Sequence, residues 1–133
     1  MAWTLERLDN EPIILVTVFP PTSSYEGTIQ LLHEIAELAT TIPDGPIYRI
    51  NDYSAITPTL DDLINVMTLE AKLGLPGSVG DPRTHLIAVG SGELVELGAS
   101  SFSQDQFGNH NVPLFTSQDD ALNYAREQLA CLA

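Results

Sequence analysis

Short strand-like runs alternate with helix-like segments along this chain, and this alternation constrains its fold more than any other feature. Residues 3–8 and 13–19 are apolar, β-rich runs joined by a short polar turn, so they predict a β-hairpin. The other predicted strands are residues 47–52, 84–89 and 112–115, and the predicted helices are residues 24–41, 60–73, 93–107 and a last helix opened by Ser117. Such short connections favour helices packed on a mixed sheet. We therefore predict an α/β fold: a five-stranded mixed β-sheet with an N-terminal hairpin and about four helices.

The second predicted helix carries more apolar surface than one buried face needs. Thr59 followed by Asp62 is a capping-box pattern, and Gly74 ends the segment. An apolar stripe at helical spacing predicts the core face: Leu60, Leu63, Ile64, Met67 and Ala71. A second apolar edge, with the loop that follows, predicts an interaction surface: Val66, Leu69, Leu73 and Leu75. The alternative is that neighbouring helices and the loop cover this edge.

Length and charge limit the classes of function. A chain of 133 residues has room for one core, so we expect a single domain spanning residues 1–133. Only 5 Lys and Arg stand against 18 Asp and Glu, which gives a net charge of -13. Because nucleic acids and anionic lipids are bound through clustered cations, we predict neither a nucleic-acid nor a membrane partner. The carboxylates are scattered along the chain, which disfavours a DNA mimic as well.

The lone cysteine and the first residues indicate a compartment. Cys131 has no partner for an intramolecular disulfide, and a reducing environment suits a free thiol. The N-terminus lacks the basic and then apolar regions of a secretion signal, and the longest apolar run, residues 13–19, is too short to span a bilayer. We expect a cytoplasmic protein.

Two motifs and the order of elements resemble the STAS domain, the fold of bacterial anti-sigma-factor antagonists and their SpoIIAA-like relatives. Residues 50–54, Ile-Asn-Asp-Tyr-Ser, are similar to the signature of a hydrophobic residue, Asp, a hydrophobic residue and Ser that ends the family's third strand. Residues 112–122 resemble its closing signature, in which Phe is followed by Ser and then by Ala-Leu. The element order extends the resemblance over nearly the whole chain.

The resemblance implies a protein-interaction module that is often switched by phosphorylation at the start of the helix after the third strand. The candidate acceptors here are Ser54, Thr57 and Thr59. The family's Asp-Ser-Ser-Gly element is absent, and Asp61 and Asp62 stand in roughly its place, where they would repel a phosphate. The alternative is that these hydroxyls only cap the helix and shape the turn.

No motif indicates a cofactor, a metal ion or a catalytic residue. Residues 90–92 form a glycine-containing turn that lacks the third glycine of a dinucleotide fingerprint and the lysine of a P-loop. None of the three histidines has two partners at ligand spacing, and no nucleophile-elbow motif is present. Three aromatic residues, Tyr25, Tyr53 and Phe107, are candidates for the lining of a small apolar pocket near the strand ends.

These observations favour a non-enzymatic protein-interaction or regulatory module of the bacterial cytoplasm that self-associates, with a homodimer as the expected assembly. The sequence does not identify any other protein partner. The alternative is a protein that binds a small apolar or amphipathic ligand between its sheet and helices, and a hydrolase ranks third.

Overall fold

The computed structural model describes residues 2–20, 25–57, 59–101 and 111–131, which form five strands and four helices. The strands are β1 (Ala2–Arg7), β2 (Ile13–Phe19), β3 (Ile47–Asp52), β4 (Thr84–Val89) and β5 (Leu114–Phe115). The helices are α1 (Tyr25–Ala39), α2 (Leu60–Leu73), α3 (Glu93–Ser101) and α4 (Gln118–Cys131). Within these ranges, no helix is both long and apolar enough to cross a bilayer.

The strands form one mixed sheet in the order β1-β2-β3-β4-β5. β1 runs antiparallel to β2, with Leu5 opposite Val16, and the other neighbours are parallel. This arrangement confirms the predicted hairpin and the five-stranded mixed sheet. β3 lies in the centre, and all six of its residues are buried, so a charged side chain on this strand must find its partner inside the protein.

Helices cover both faces of the sheet. On one face, Val16 and its alternate neighbours on β2 pack against Leu32 and Ile35 of α1, and α2 and α3 pack beside them. On the other face, Ile50 of β3 packs against Ala121 of α4. Because successive residues of a strand point to opposite faces, each central strand contributes to both layers of the core.

Several element ends differ from the prediction. α1 ends at Ala39 and not at residue 41, because the hydroxyls of Thr40 and Thr41 donate to the carbonyls of Glu37 and Leu38 and form a turn. β5 contains only Leu114–Phe115 of the predicted residues 112–115. β1 lies one residue earlier than predicted, at Ala2–Arg7. The third helix is described as Glu93–Ser101, and the rest of its predicted length, residues 102–107, lies outside the described residues.

Local signals fix α2 at its predicted bounds. The Thr59 hydroxyl accepts a hydrogen bond from the Asp62 backbone N–H at 3.1 Å, and the Asp62 carboxylate accepts one from the Thr59 N–H at 2.9 Å. At the other end Gly74 adopts a left-handed conformation with φ of 57°, which costs glycine little. The reciprocal cap and the glycine confirm both predicted ends of the helix.

We predict that Thr59→Ala lowers the free energy of unfolding by about 1 kcal/mol, because it removes the side chain that caps α2. Urea denaturation monitored by circular dichroism measures the change. The matched control is Thr57→Ala, which removes an exposed threonine two residues away and should change stability by less than about 0.5 kcal/mol. Equal losses in the two variants would contradict the capping role.

Candidate functional site

The central strand places three polar side chains on the face of the sheet that packs against α1, α2 and α3. Arg49, Asn51 and Tyr53 alternate along β3 and just beyond its end, so they point to the same side. Arg49 is completely buried, and Asn51 is 6% exposed. Buried polar groups in such a position must be satisfied within the protein.

Arg49 forms a two-pronged ion pair with Glu70 of α2. Its Nη1 donates to Glu70 Oε1 at 2.7 Å and its Nη2 donates to Oε2 at 2.9 Å. Nη1 also donates to the carbonyl of Gly77 at 3.0 Å, and the backbone N–H of Val79 donates to Glu70 Oε1 at 3.2 Å. The pair therefore joins the central strand, α2 and the loop after α2, at side-chain exposures of 1%.

Burial alone would lower the pKa of Arg49, but the Glu70 carboxylate beside it outweighs burial and raises that pKa. The Arg49 guanidinium therefore stays protonated. Fork-shaped, charge-assisted hydrogen bonds compensate part of the cost of removing both charges from water. Each charge depends on the other, because an unpaired charge at this depth costs several kcal/mol.

Asn51 extends this network towards Tyr53. Arg49 Nε donates to Asn51 Oδ1 at 3.1 Å, and Asn51 Nδ2 donates to the Tyr53 hydroxyl oxygen at 2.8 Å. Because Arg49 Nε can only donate, it fixes which end of the Asn51 amide faces it. Burial raises the pKa of Tyr53, against the opposing effect of the Asn51 hydrogen bond, so the phenol stays neutral.

These polar groups form part of the wall of a cavity between the sheet and the three helices. The cavity has a volume of about 80 Å³, and its other walls are almost entirely apolar. Besides Arg49, Asn51, Tyr53 and Glu70, its lining includes Leu31, Ile35, Ile56, Leu63, Val66, Val95 and Ala99. We call this space the α2 cavity. An apolar cavity with a few convergent polar groups is the usual form of a small-molecule site.

The predicted pocket residues are placed as follows. Tyr53 lines the α2 cavity. Tyr25 begins α1, and its side chain lies outside the described residues, as does all of Phe107. Among the residues described, no group of three His, Cys, Asp or Glu side chains lies close enough to hold a metal ion.

The predicted phospho-acceptors lie on the loop between β3 and α2. Ser54, Thr57 and Thr59 are all exposed. The Ser54 backbone N–H donates to Asp52 Oδ1 at 2.9 Å, and Gln118 of α4 donates to Asp52 Oδ2 at 2.7 Å, so Asp52 holds the start of this loop. The Thr59 hydroxyl caps α2, whereas those of Ser54 and Thr57 carry no such role.

The predicted interaction surface on α2 does not form one exposed patch. Leu69 is 3% exposed and packs in the core cluster of β2 and α1, so its assignment to a surface is wrong. Val66 is half-buried in the wall of the α2 cavity, and Leu75 packs against the same core cluster. Of the four residues, Leu73 is the most exposed, at 39%.

The two most exposed large apolar side chains of α2 come instead from the stripe that was predicted to face the core. Leu60 is 52% exposed and Ile64 is 47% exposed, one helical turn apart. We call these two residues the outer patch. Relative to the predicted stripe, the buried side of α2 lies about 100° around the helix axis, the step of one residue, and it carries Glu70, which faces Arg49.

The sequence reasoning missed Arg49, Asn51 and Glu70, although a signal for them exists. Arg49 stands between Tyr48 and Ile50 in the predicted strand 47–52. If that strand is buried, the cation requires a buried carboxylate, and Glu70 stands between Leu69 and Ala71, two apolar residues of the predicted helix 60–73. Each residue is therefore a candidate for a buried charge, but only the fold shows that the two are partners.

Comparison with known proteins supports the fold. No family model and no curated protein sequence matches this chain. Its structure is similar to that of an uncharacterised DUF3478-family protein with a SpoIIAA-like fold from Shewanella loihica PV-4, with a TM-score of 0.58 and 20% identity over 93% of this chain and 92% of that one. It is also similar to a variant of RsbS from Moorella thermoacetica, with a TM-score of 0.56 and 16% identity over 98% of this chain and 99% of that one. The chain has the SpoIIAA-like fold, as its motifs predicted.

We predict that Arg49→Met and Glu70→Met each lower the free energy of unfolding by about 3–5 kcal/mol, because each leaves a buried charge unpaired. The double variant should lose less than either single variant, since no charge remains to be solvated. Urea denaturation of all four proteins measures the coupling.

The matched control for these variants is the exposed ion pair of Arg126 and Glu11. The distance from Arg126 Nε to Glu11 Oε2 is 3.0 Å, and the two side chains are 50% and 31% exposed. Glu11→Met should cost no more than about 1 kcal/mol. If the losses at Arg49 and Glu70 simply add in the double variant, the two charges are not coupled and our description of the pair is wrong.

Proposed function

We propose that this chain is a non-enzymatic regulatory module of the bacterial cytoplasm that binds a protein partner through the outer patch of α2. The observation that carries the proposal is the exposure of Leu60 and Ile64, two large aliphatic side chains one turn apart on a helix that has a better-buried face. Exposed apolar side chains that neighbour each other on a helix supply the kind of surface that protein partners cover.

The fold supports this proposal. The resemblance of residues 50–54 and 112–122 to STAS signatures implies a protein-interaction module, and one structural relative is RsbS. The outer patch follows directly after the loop where the resemblance places the regulated hydroxyls. Contact through α2 therefore places the partner next to Ser54 and Thr57, both of which are exposed.

Charge around the outer patch favours a partner with a basic rim. Asp61 follows Leu60 in the first turn of α2, and Glu93 and Glu96 lie in the first turn of α3, which packs against α2 through Gly98 and Leu63. The chain as a whole carries a net charge of -13 at pH 7. Two copies that each carry this net charge would repel each other, so the charge argues for a different, basic protein over the homodimer that the sequence suggested.

Phosphorylation of the loop fits this scheme best at Ser54 or Thr57. The Thr59 hydroxyl is already engaged at the N-terminus of α2, so a phosphate there would remove the cap and lie close to Asp61 and Asp62. A phosphate on the earlier residues would add about two negative charges beside the outer patch without dismantling the helix. The exposed free thiol of Cys131 accords with the reducing cytoplasm.

We predict that Ile64→Glu weakens partner binding at least about 10-fold, because it places a charge at the centre of the interface. The native chain is immobilised, proteins that it retains from an extract of the source cells at about 0.1 M ionic strength are identified, and each is purified for a direct measurement of Kd. A basic partner should bind several-fold more weakly at about 1 M ionic strength, where charge pairs are screened.

The matched control is Leu73→Glu, which makes the same change at a comparably exposed leucine on the same helix. Residue 73 lies about 14 Å farther along the axis and half a turn around it from residue 64, so this variant should bind like the native chain. Equal weakening by both variants, or by neither, would contradict the proposed interface. Light scattering adds a further test. If the native chain is a homodimer and Ile64→Glu dissociates it, the partner at the outer patch is a second copy of the chain and not a basic protein.

A further inference from the structure

We propose that the α2 cavity binds a short neutral carbonyl compound, such as a ketone, ester or lactone, whose oxygen accepts hydrogen bonds from Tyr53 and Asn51. This site is separate from the outer patch, and the proposal does not depend on the protein partner. The cavity is bounded by β3, α1, α2 and α3, and its polar wall is limited to a few buried side chains.

The order of hydrogen bonds along β3 leaves unused donors at the cavity wall. Arg49 Nε donates to Asn51 Oδ1 and so turns the Asn51 amide nitrogen towards Tyr53. The Tyr53 oxygen accepts that hydrogen bond, and its own hydrogen must therefore point elsewhere. In the part of the chain that the structure describes, this hydroxyl has no acceptor. The Asn51 amide likewise uses only one of its two hydrogens for Tyr53.

A ligand that complements this wall must bring an acceptor. A carbonyl oxygen has two lone pairs, which can accept from the Tyr53 hydroxyl and from the second Asn51 hydrogen together. Because the phenol is neutral, it remains a donor across the physiological pH range. A purely apolar ligand would leave both donors without a partner, and buried donors without partners are costly.

The charges in the wall exclude an ionised ligand. Arg49 and Glu70 already neutralise each other at 2.7 Å, and the other carboxylate in the lining is that of Asp62, which caps α2. An added anion would therefore enter an apolar space without a free counter-charge, which costs several kcal/mol, and an added cation would meet only the Asp62 carboxylate, which already accepts the Thr59 N–H. The ligand must be neutral.

The volume sets the size of the ligand. At about 80 Å³, the α2 cavity is larger than the space of one water and smaller than the cavity of ~150 Å³ that holds benzene. The walls opposite the polar groups are aliphatic, from Leu31, Ile35 and Val66 among others. A molecule of about four to six heavy atoms, with one carbonyl and an aliphatic remainder, fits both the volume and the lining.

The test is a titration of the uniformly ¹⁵N-labelled full chain, followed by amide chemical shifts. The probes are butanone and 2-methyl-1-butene, which have the same shape except that a CH₂ group replaces the carbonyl oxygen. They are added to the native chain, to Tyr53→Phe and to the matched control Tyr48→Phe, which removes a phenol from the opposite face of β3. Butanone should saturate shifts at Tyr53, Val66 and Gly98 with a Kd of about 1 mM, the range expected for five heavy atoms.

Tyr53→Phe should weaken butanone binding about 10-fold, the effect of one lost hydrogen bond, while leaving the alkene's affinity unchanged or higher. Tyr48→Phe should change neither. Equal weakening of ketone and alkene by Tyr53→Phe would show that the hydroxyl shapes the cavity without contacting a carbonyl, and would overturn the proposal. Absence of saturable shifts with butanone in the native chain would overturn it as well.

Discussion

The buried ion pair between Arg49 and Glu70 joins the central strand of this fold to α2. A cation on the central strand of the sheet cannot reach water, so the carboxylate must come to it, and it comes from α2. The pair also reaches the loop after α2 through Gly77 and Val79, so one polar cluster joins strand, helix and loop. Hydrophobic packing supplies most of the stability, but the orientation of α2 follows from this cluster.

The orientation of α2 has two consequences for function. Leu60 and Ile64 face outwards and form the outer patch, which we propose binds a protein. Val66 and Glu70 face inwards and line the α2 cavity. One helix thus borders a surface and an interior site. A ligand in the cavity and a partner on the patch would both contact α2. If binding at one site changes the affinity of the other, the coupling is reciprocal, and both affinities change by the same factor.

Much of the fold could be predicted because local signals set it. The hairpin turn, the cap at Thr59 and the left-handed Gly74 act over a few residues, so the bounds of β2, β3, α2 and β4 follow from the sequence. The rotation of α2 could not be predicted from periodicity, because Leu60 and Ile64 count as core residues in any apolar stripe. A tertiary contact decided otherwise: Glu70 is paired with a residue on a distant strand, and local propensity does not register that pairing. The same limit hid Arg49 and Asn51 from the candidate site.

The most direct test of this account is the accessibility of two positions on α2 to a thiol reagent. In a Cys131→Ser background, Ile64→Cys and Leu69→Cys are labelled separately under native conditions, and the two rates are compared with those in urea. If the Arg49–Glu70 pair orients α2 as described, position 64 reacts almost as fast as in the unfolded chain, and position 69 reacts on the order of 100-fold more slowly. Fast labelling at 69 with protection at 64 would mean that the predicted apolar stripe faces the core and that Glu70 does not face Arg49.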